Sequence, residues 1–502
     1  PNNDDRTMLR RILTILLLVL MAALCVRAEE LVLTLDDAVA MARVRSVDAA
    51  VALDELRSAY RQWRIWRADR LPEVVLQATL PSYADQYSPY MDADGRYSFV
   101  RNRALQLNAA LAVKQNIRLT GATLQLSTSL DFLRQFGGLG NRYMALPVAL
   151  SLTQPLFAVN TMKWDSRIEP VRYTEAKAEF LSATEDVALK AITYYFNLLL
   201  SRENCEIARQ NYDIALRLRD VAVEKRRMGQ ISENDLRQME LNLLEAQSDL
   251  TDCASDMKAD MFSLRTFLDI DNDSVEIVPI VPGATPDTEI RYAEALERAR
   301  ANNKLCHNML RRQLEADYAV AQAKGDMRKV NLFVQVGYTG ASNEISEAYS
   351  RLRGNQVVQV GIEIPLFDGG KRRERVRVAE SNRRVQQSTL RKESMEFDRN
   401  LFILVERFSN QQRQFAIASE ACDIAVARYN TNVETFLTGR ISTLDLNDSQ
   451  VKKDENRRQY INQLYRCWLY WYQLRSITLY DFEHRSDINA DIEKLVNMKI
   501  EH

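Results

Sequence analysis

Glycine and proline are scarce in this chain, with 15 and 11 in 502 residues. Between Pro170 and Pro279 the sole glycine is Gly229, with no proline, and after Gly370 the sole glycine is Gly439. No proline follows Pro365. Tracts of that length without turn residues exclude a loop-rich sandwich there. Charge of either sign is not in excess: 67 Lys and Arg face 68 Asp and Glu. A net charge of −1 gives no basic footprint and argues against nucleic acid as a partner. The six cysteines include no C-x-x-C pair, which leaves neither a zinc motif nor a thioredoxin-like one. The three histidines, His307, His484 and His502, lie far apart in the sequence. No constellation supports an enzyme, a resident metal or another cofactor.

Long apolar runs are also missing, apart from one near the start. Met8-Leu-Arg-Arg is basic, Ile12–Leu24 is apolar over 13 residues, and Val26-Arg27-Ala28 offers a small residue for cleavage. This is the pattern of a secretory signal peptide with Glu29 as the first mature residue. Thirteen helical residues reach about 20 Å, short of the roughly 30 Å hydrocarbon core. Cys25 leaves lipoprotein processing as an alternative, against which Leu24 is large for that site. An exported chain without spanning helices would enter a membrane as strands.

Against this scarcity one phrase is written twice. "RRMGQISENDLRQ" at Arg226–Gln238 and "FLTGRISTLDLND" at Phe436–Asp448 share Gly-x-Ile-Ser-x-x-Asp-Leu, 210 residues apart. Both tracts are rich in helix formers. A lone glycine within such a tract reads as the turn between two long antiparallel helices. Ser232 and Ser442 would then cap the returning helices, with Asp235 and Asp445 at the third helical position. Pro155-Leu156-Phe157 and Pro365-Leu366-Phe367 repeat at the same offset, so 74 residues separate the motifs in both copies. A helix over most of that interval would run about 100–110 Å, suited to a spacer rather than one globular core.

Upstream of each Pro-Leu-Phe the apolar period changes to two. "LQLNAALAV" sets Leu105, Leu107, Ala109, Leu111 and Val113 against Gln106 and Asn108. "ATLQLSTSLDF" sets Leu124, Leu126, Leu130 and Phe132 against Gln125, Ser127, Ser129 and Asp131. Val74–Leu80, Val148–Thr153, Leu332–Tyr338 and Val358–Ile364 alternate likewise. Six strands per chain are expected, with Pro81–Arg103, Leu133–Leu146 and Ala341–Gly354 as long loops. Alternation alone fits a soluble sandwich as well as a wet-lumened barrel; export and the long helices favour the barrel.

These residues resemble the TolC family of outer-membrane efflux proteins. The resemblance rests on "LTLDDAVAMA", "SLTQPLF", "YYFNLL", "IEIPLFDGGKRRERVRVAE" and the two Gly-x-Ile-Ser hairpins, and covers essentially the mature chain. It implies an α+β membrane protein in the outer membrane of a Gram-negative bacterium. Three chains would share one β-barrel, continued by a periplasmic α-helical, coiled-coil tunnel. The division expected is residues 1–28 upstream and signal peptide, 29–286 first repeat, and 287–502 second repeat. The first repeat would hold a helix, four strands and a hairpin with its tip at Gly229; the second, a helix, two strands and a tip at Gly439. The implied function is the exit channel of a tripartite efflux or type I secretion system. The implied partners are a homotrimer, a periplasmic adaptor (membrane fusion protein), an inner-membrane pump and outer-membrane lipid.

Site residues follow the same resemblance. Asp445 and Asp448 match the family's pore-constriction carboxylates, and Asp235 a first-hairpin aspartate that helps hold the channel shut. Gly229, Gln230 and Ile231, with Gly439, Arg440 and Ile441, would be the adaptor-contact tips. The chain departs from the family at Phe436 and Ile441, where a tyrosine and a basic residue are expected, so the resting lock is either different or weaker. It departs again in strand number: the family pattern is four per chain, and six gives 18 in a trimer, unless the extra hairpin folds outside the wall. Cys205 and Cys253, each 24 residues from Gly229, fit a disulfide or two buried free thiols equally. "YRCWLYWYQLR" reads as helix packing. An exported structural coiled-coil protein or an adaptor without a pore are the other classes; the first leaves the strands unexplained, the second the doubled register.

Overall fold

The computed structural model describes residues 30–91, 95–136, 140–271, 275–283, 285–286, 288–327, 329–363, 367–437, 440–441, 443–490 and 495–496. The expected signal peptide and Gly439 lie outside the described residues. In chain order the elements are β1 (Glu30–Leu33), α1 (Leu35–Arg45), α2 (Val47–Ala68), β2 (Glu73–Met91), β3 (Tyr97–Ile117), β4 (Ala122–Phe136), β5 (Gly140–Leu156) and α3 (Thr161–Arg227). Then follow α4 (Glu233–Phe267), β6 (Glu276–Pro279), α5 (Tyr292–Asn302), α6 (Lys304–Gly325), β7 (Lys329–Ser342), α7 (Ile345–Ser350) and β8 (Arg353–Glu363). The last are α8 (Lys371–Leu437), α9 (Thr443–Thr478), β9 (Tyr480–Asp481) and β10 (Ser486–Asp487).

The doubled register extends to the helices themselves. α3 and α8 are each 67 residues long and begin and end 210 positions apart, and α9 starts 210 after α4. At 1.5 Å per residue each long helix measures about 100 Å. Pro170 lies inside α3, at its tenth residue, where it removes one helical hydrogen bond without ending the helix. Among the described residues no helix is long and apolar enough to cross a membrane.

The chain forms two compact units, and both draw on segments from before and after residue 287. One comprises residues up to Glu55, Ala178–Asn303 and Phe397 onward. Its core joins Val39 and Ala42 of α1, Ile192 and Tyr195 of α3, Leu264 of α4, Phe408 of α8 and Trp471 of α9. β1 and β6 pair in parallel, and the buried Tyr195 hydroxyl pins that pair. It bonds the Leu33 carbonyl at 3.0 Å and that of Ile280 at 2.5 Å. The aromatic run at Tyr465–Arg475 packs between helices as its sequence suggests, with Trp471 2% exposed.

The other unit, Leu56–Lys177 with Lys304–Glu396, holds a six-stranded sheet. Its order is β2-β3-β4-β5-β7-β8, antiparallel throughout. All six expected strands are present. Pairing partners share a face, so rungs can be read across the sheet. One rung runs Val74–Val113–Leu126–Leu150–Val336. The rung on the other face runs Lys114–Gln125–Ser151–Gln335. Val74, Leu76, Leu126, Leu150, Val336, Val358 and Val360 are nevertheless exposed.

The expected loops are mostly strand. β2 runs to Met91 and β3 starts at Tyr97, so most of Pro81–Arg103 is strand. Alternation fades there because the hairpin is held by its own ladder, with a bulge between Thr79 and Ser82 and an Arg101–Asp85 ion pair of 2.7 Å. Prolines 81 and 89 are tolerated because β2 is the outermost strand. Leu133–Leu146 likewise extends β4 and β5, and Ala341–Gly354 folds as α7 between strand ends. α7 packs against β7 and β5, its Ala348 carbonyl occupying the space a side chain at Gly340 would need.

Candidate functional site

The first hairpin tip is built from hydrogen bonds its phrase specifies. Gly229 has φ +68°, the left-handed conformation that glycine adopts without a Cβ clash. Its N–H donates to Arg226 O at 2.9 Å, and the Gln230 N–H donates to Lys225 O at 2.8 Å, which closes α3 as a Schellman motif. Ser232 then caps α4: its hydroxyl accepts from the Asp235 N–H at 3.1 Å, and its own N–H donates to Asp235 Oδ2 at 2.9 Å. That reciprocal pair is a capping box. The Ser232 hydroxyl and N–H hold the Asp235 carboxyl below its usual range. Asp235 is therefore engaged within its own tip; Gln230 is exposed and Ile231 half-buried.

The second tip follows the same geometry where it is described. Arg440 N–H donates to Thr435 O at 3.1 Å, the counterpart of Gln230 to Lys225 at the 210 offset. Arg440 is exposed and Ile441 half-buried. Asp445 and Asp448 are exposed in the first turns of α9, while Leu446 and Ser449, each next in sequence to one of them, are buried. The two carboxylates thus share the outward face of the helix, as i, i+3 spacing demands. Asp448 pairs with Arg428 of α8 at 2.8 Å, with both side chains about half exposed. Phe436 lies in the last turn of α8.

Replacing Gly229 by valine should open this tip. A β-branched residue in the left-handed region costs about 1–2 kcal/mol, enough to raise trypsin cleavage after Arg226 or Arg227 about tenfold. An unchanged cleavage rate would show that the turn tolerates a Cβ.

The polar seam that joins the two hairpins was not legible in the sequence. α3 and α9 run antiparallel, linked by Ser182–Ser476 (3.4 Å), Thr193–Tyr465 (3.2 Å), Glu203–Arg457 (2.7 Å) and Asn211–Asp454 (3.2 Å). Asp454 is 4% exposed and also meets Lys453 at 3.3 Å. These partners lie more than 240 residues apart. Asp481, Glu483 and His484 lie close enough to suggest a cation site. The Asp481 carboxylate, however, is engaged by Arg475 at 2.6 Å and by the N–H groups of Glu483 and His484, as in an ion-paired turn.

Residues 296–478 match the outer membrane efflux protein family. Through this span the chain is similar to that family. No curated protein sequence matches the chain. Solved structures of similar fold include the Campylobacter jejuni CmeC outer membrane channel, 15% identical, covering 92% of this chain and 88% of that one, with a TM-score of 0.63. The outer membrane protein VceC of Vibrio cholerae is 14% identical, with 89% and 95% covered and a TM-score of 0.61. The open state of the Neisseria gonorrhoeae MtrE outer membrane channel is 14% identical, with 88% of each chain covered and a TM-score of 0.58. At such identities these structures speak for the fold alone, and the family match speaks for residues 296–478.

Proposed function

We propose that this protein is the outer-membrane exit channel of a tripartite efflux or type I secretion system. The observation that carries the reading is the sheet with two unlike faces, one apolar and exposed, the other lined by Lys114, Gln125, Ser151 and Gln335. Apolar side chains exposed in rungs suit lipid, and polar ones opposite suit a wet lumen. A barrel needs about eight strands or more, so six cannot close alone. Six is even, so β8 of one copy can pair antiparallel with β2 of the next. Three copies would close at 18 strands, in line with the homotrimer that the family resemblance implies.

The end of the sheet where β3 turns into β4 supports a lipid boundary. Leu71, Leu119, Phe157 and Phe367 are exposed next to strand ends there, between 65% and 93%. Arg70 and Arg118 lie close enough to repel each other in the same region. Apolar residues beside cations fit the headgroup layer. On this reading the repeats, 29–286 and 287–502, each turn back at a periplasmic tip. Gly229, Gln230 and Ile231, with Gly439, Arg440 and Ile441, meet the adaptor that couples the channel to its inner-membrane pump. Asp445 and Asp448, with Asp235 nearby, ring the pore constriction. A structural coiled-coil protein or an adaptor would have no use for the two-faced sheet.

Single-channel recording in a planar bilayer, with the mass of the detergent-solubilised protein, tests this reading. A conducting species of three chains is expected. A monomer without conductance would overturn it.

A further inference from the structure

We propose that Cys205 and Cys253 join as a disulfide that ties α3 to α4 within the first hairpin. The two half-buried thiols lie on the ascending and returning helices, close enough that Cys253 bears on the ionisation of Cys205. The Cys253 thiol also donates to the Leu250 carbonyl at 3.3 Å. Both residues lie 24 positions from Gly229, so the tip geometry brings them to one height. Cys253 is also reachable: it lines an open cleft of about 440 Å³ with Asn204, Asp252 and Asp256.

The second repeat lacks this pair. At the 210 offset the second hairpin carries Phe415 and Gln463. Phe415 packs on Tyr460 with ring centroids 5.4 Å apart, and Gln463 bonds Gln411. The other thiols of that hairpin, Cys422 and Cys467, are buried, and Cys467 meets the Gln411 carbonyl. A covalent tie would therefore hold one hairpin and leave the other free. Helices tied at that height cannot splay or slide, so the first hairpin would move as one rigid lever. Burial, then the Cys253 thiol and Asp256, push the Cys205 thiol up to about 12. Its first step with an oxidant is accordingly slow, and the second, between neighbours, is fast.

The chemistry is an exchange with a disulfide oxidant such as oxidised glutathione. One thiol attacks the oxidant's S–S bond and releases one glutathione thiol. The second thiol then displaces the other glutathione and forms the Cys205–Cys253 bond. Two electrons and two protons pass to the two released thiols. The oxidising surroundings rest on the outer-membrane reading above; the reaction can be tested without it.

The test treats the purified full-length protein with oxidised glutathione and maps its peptides without reduction. A Cys205 peptide linked to a Cys253 peptide is expected, lighter by two hydrogens than the reduced pair. It should be absent from Cys205→Ser, where Cys253 would instead carry glutathione. Amide exchange between residues 205 and 253 should slow at least about tenfold on oxidation. If both cysteines stay open to alkylation, or each carries its own glutathione, the proposal fails. A link with unchanged exchange would overturn the tie. Neither result depends on conductance, so failure here and failure of the channel reading are distinguishable.

Discussion

Changing Asp445 and Asp448 together to asparagine should flatten the cation preference of the open channel and weaken block by multivalent cations about tenfold or more. Both carboxylates are exposed on the outward face of α9, one turn apart, so three chains would present six of them. Charges in a narrow passage interact by about 4 kcal/mol at 4 Å and an effective dielectric of 20, and each 1.4 kcal/mol is tenfold in affinity. The Arg428–Asp448 pair does not cancel the ring, because exposed ion pairs contribute only about 0–1 kcal/mol. Arg428→Gln should move the result the other way and strengthen cation block. If the aspartates serve only the helix dipole, the double variant would lose a little stability and keep its selectivity. Reversal potentials in a salt gradient, with block titrated by a trivalent cation, separate the two.

What was legible in the sequence is what short-range chemistry writes. A glycine that must adopt φ +68° and a serine followed by a capping aspartate each leave a fixed residue at a fixed spacing. Two copies at one offset made the helix pairs readable end to end. Period-two alternation gave the six strands, because a sheet with unlike faces must alternate. Their full length was hidden: Ser82–Met91 and Tyr97–Arg103 pair through backbone ladders that impose no alternation where both faces are wet. The α3–α9 seam was invisible because it pairs polar residues from different repeats. The constriction and the tip contacts came from resemblance, and geometry adds only that Asp445, Asp448 and Arg440 are exposed.

The same blindness to distant partners hid the residue whose loss should cost most. Glu185 is 2% exposed on α3 and receives Arg43 of α1 at 2.6 Å and Arg475 of α9 at 3.3 Å. Arg475, 14% exposed, also pairs with Asp481 at 2.6 Å. Burial works against the Arg475 charge, yet Glu185 and Asp481 together hold its pKa above the usual value. Glu185→Ala would leave that guanidinium with one carboxylate where it had two, in a site water reaches poorly. Breaking a buried pair in this way costs about 3–5 kcal/mol, which should lower the helical melting transition by about 5–10 °C. Glu185→Leu combined with Arg475→Leu should cost less than Glu185→Ala alone, because the buried guanidinium is gone, the more exposed Arg43 reaches water, and Asp481 keeps the Glu483 and His484 N–H groups. A cycle of single and double variants followed by circular dichroism measures this directly. Additive losses would mean that the carboxylate and the guanidinium act independently, and that packing, rather than their charges, holds α1, α3 and α9 together.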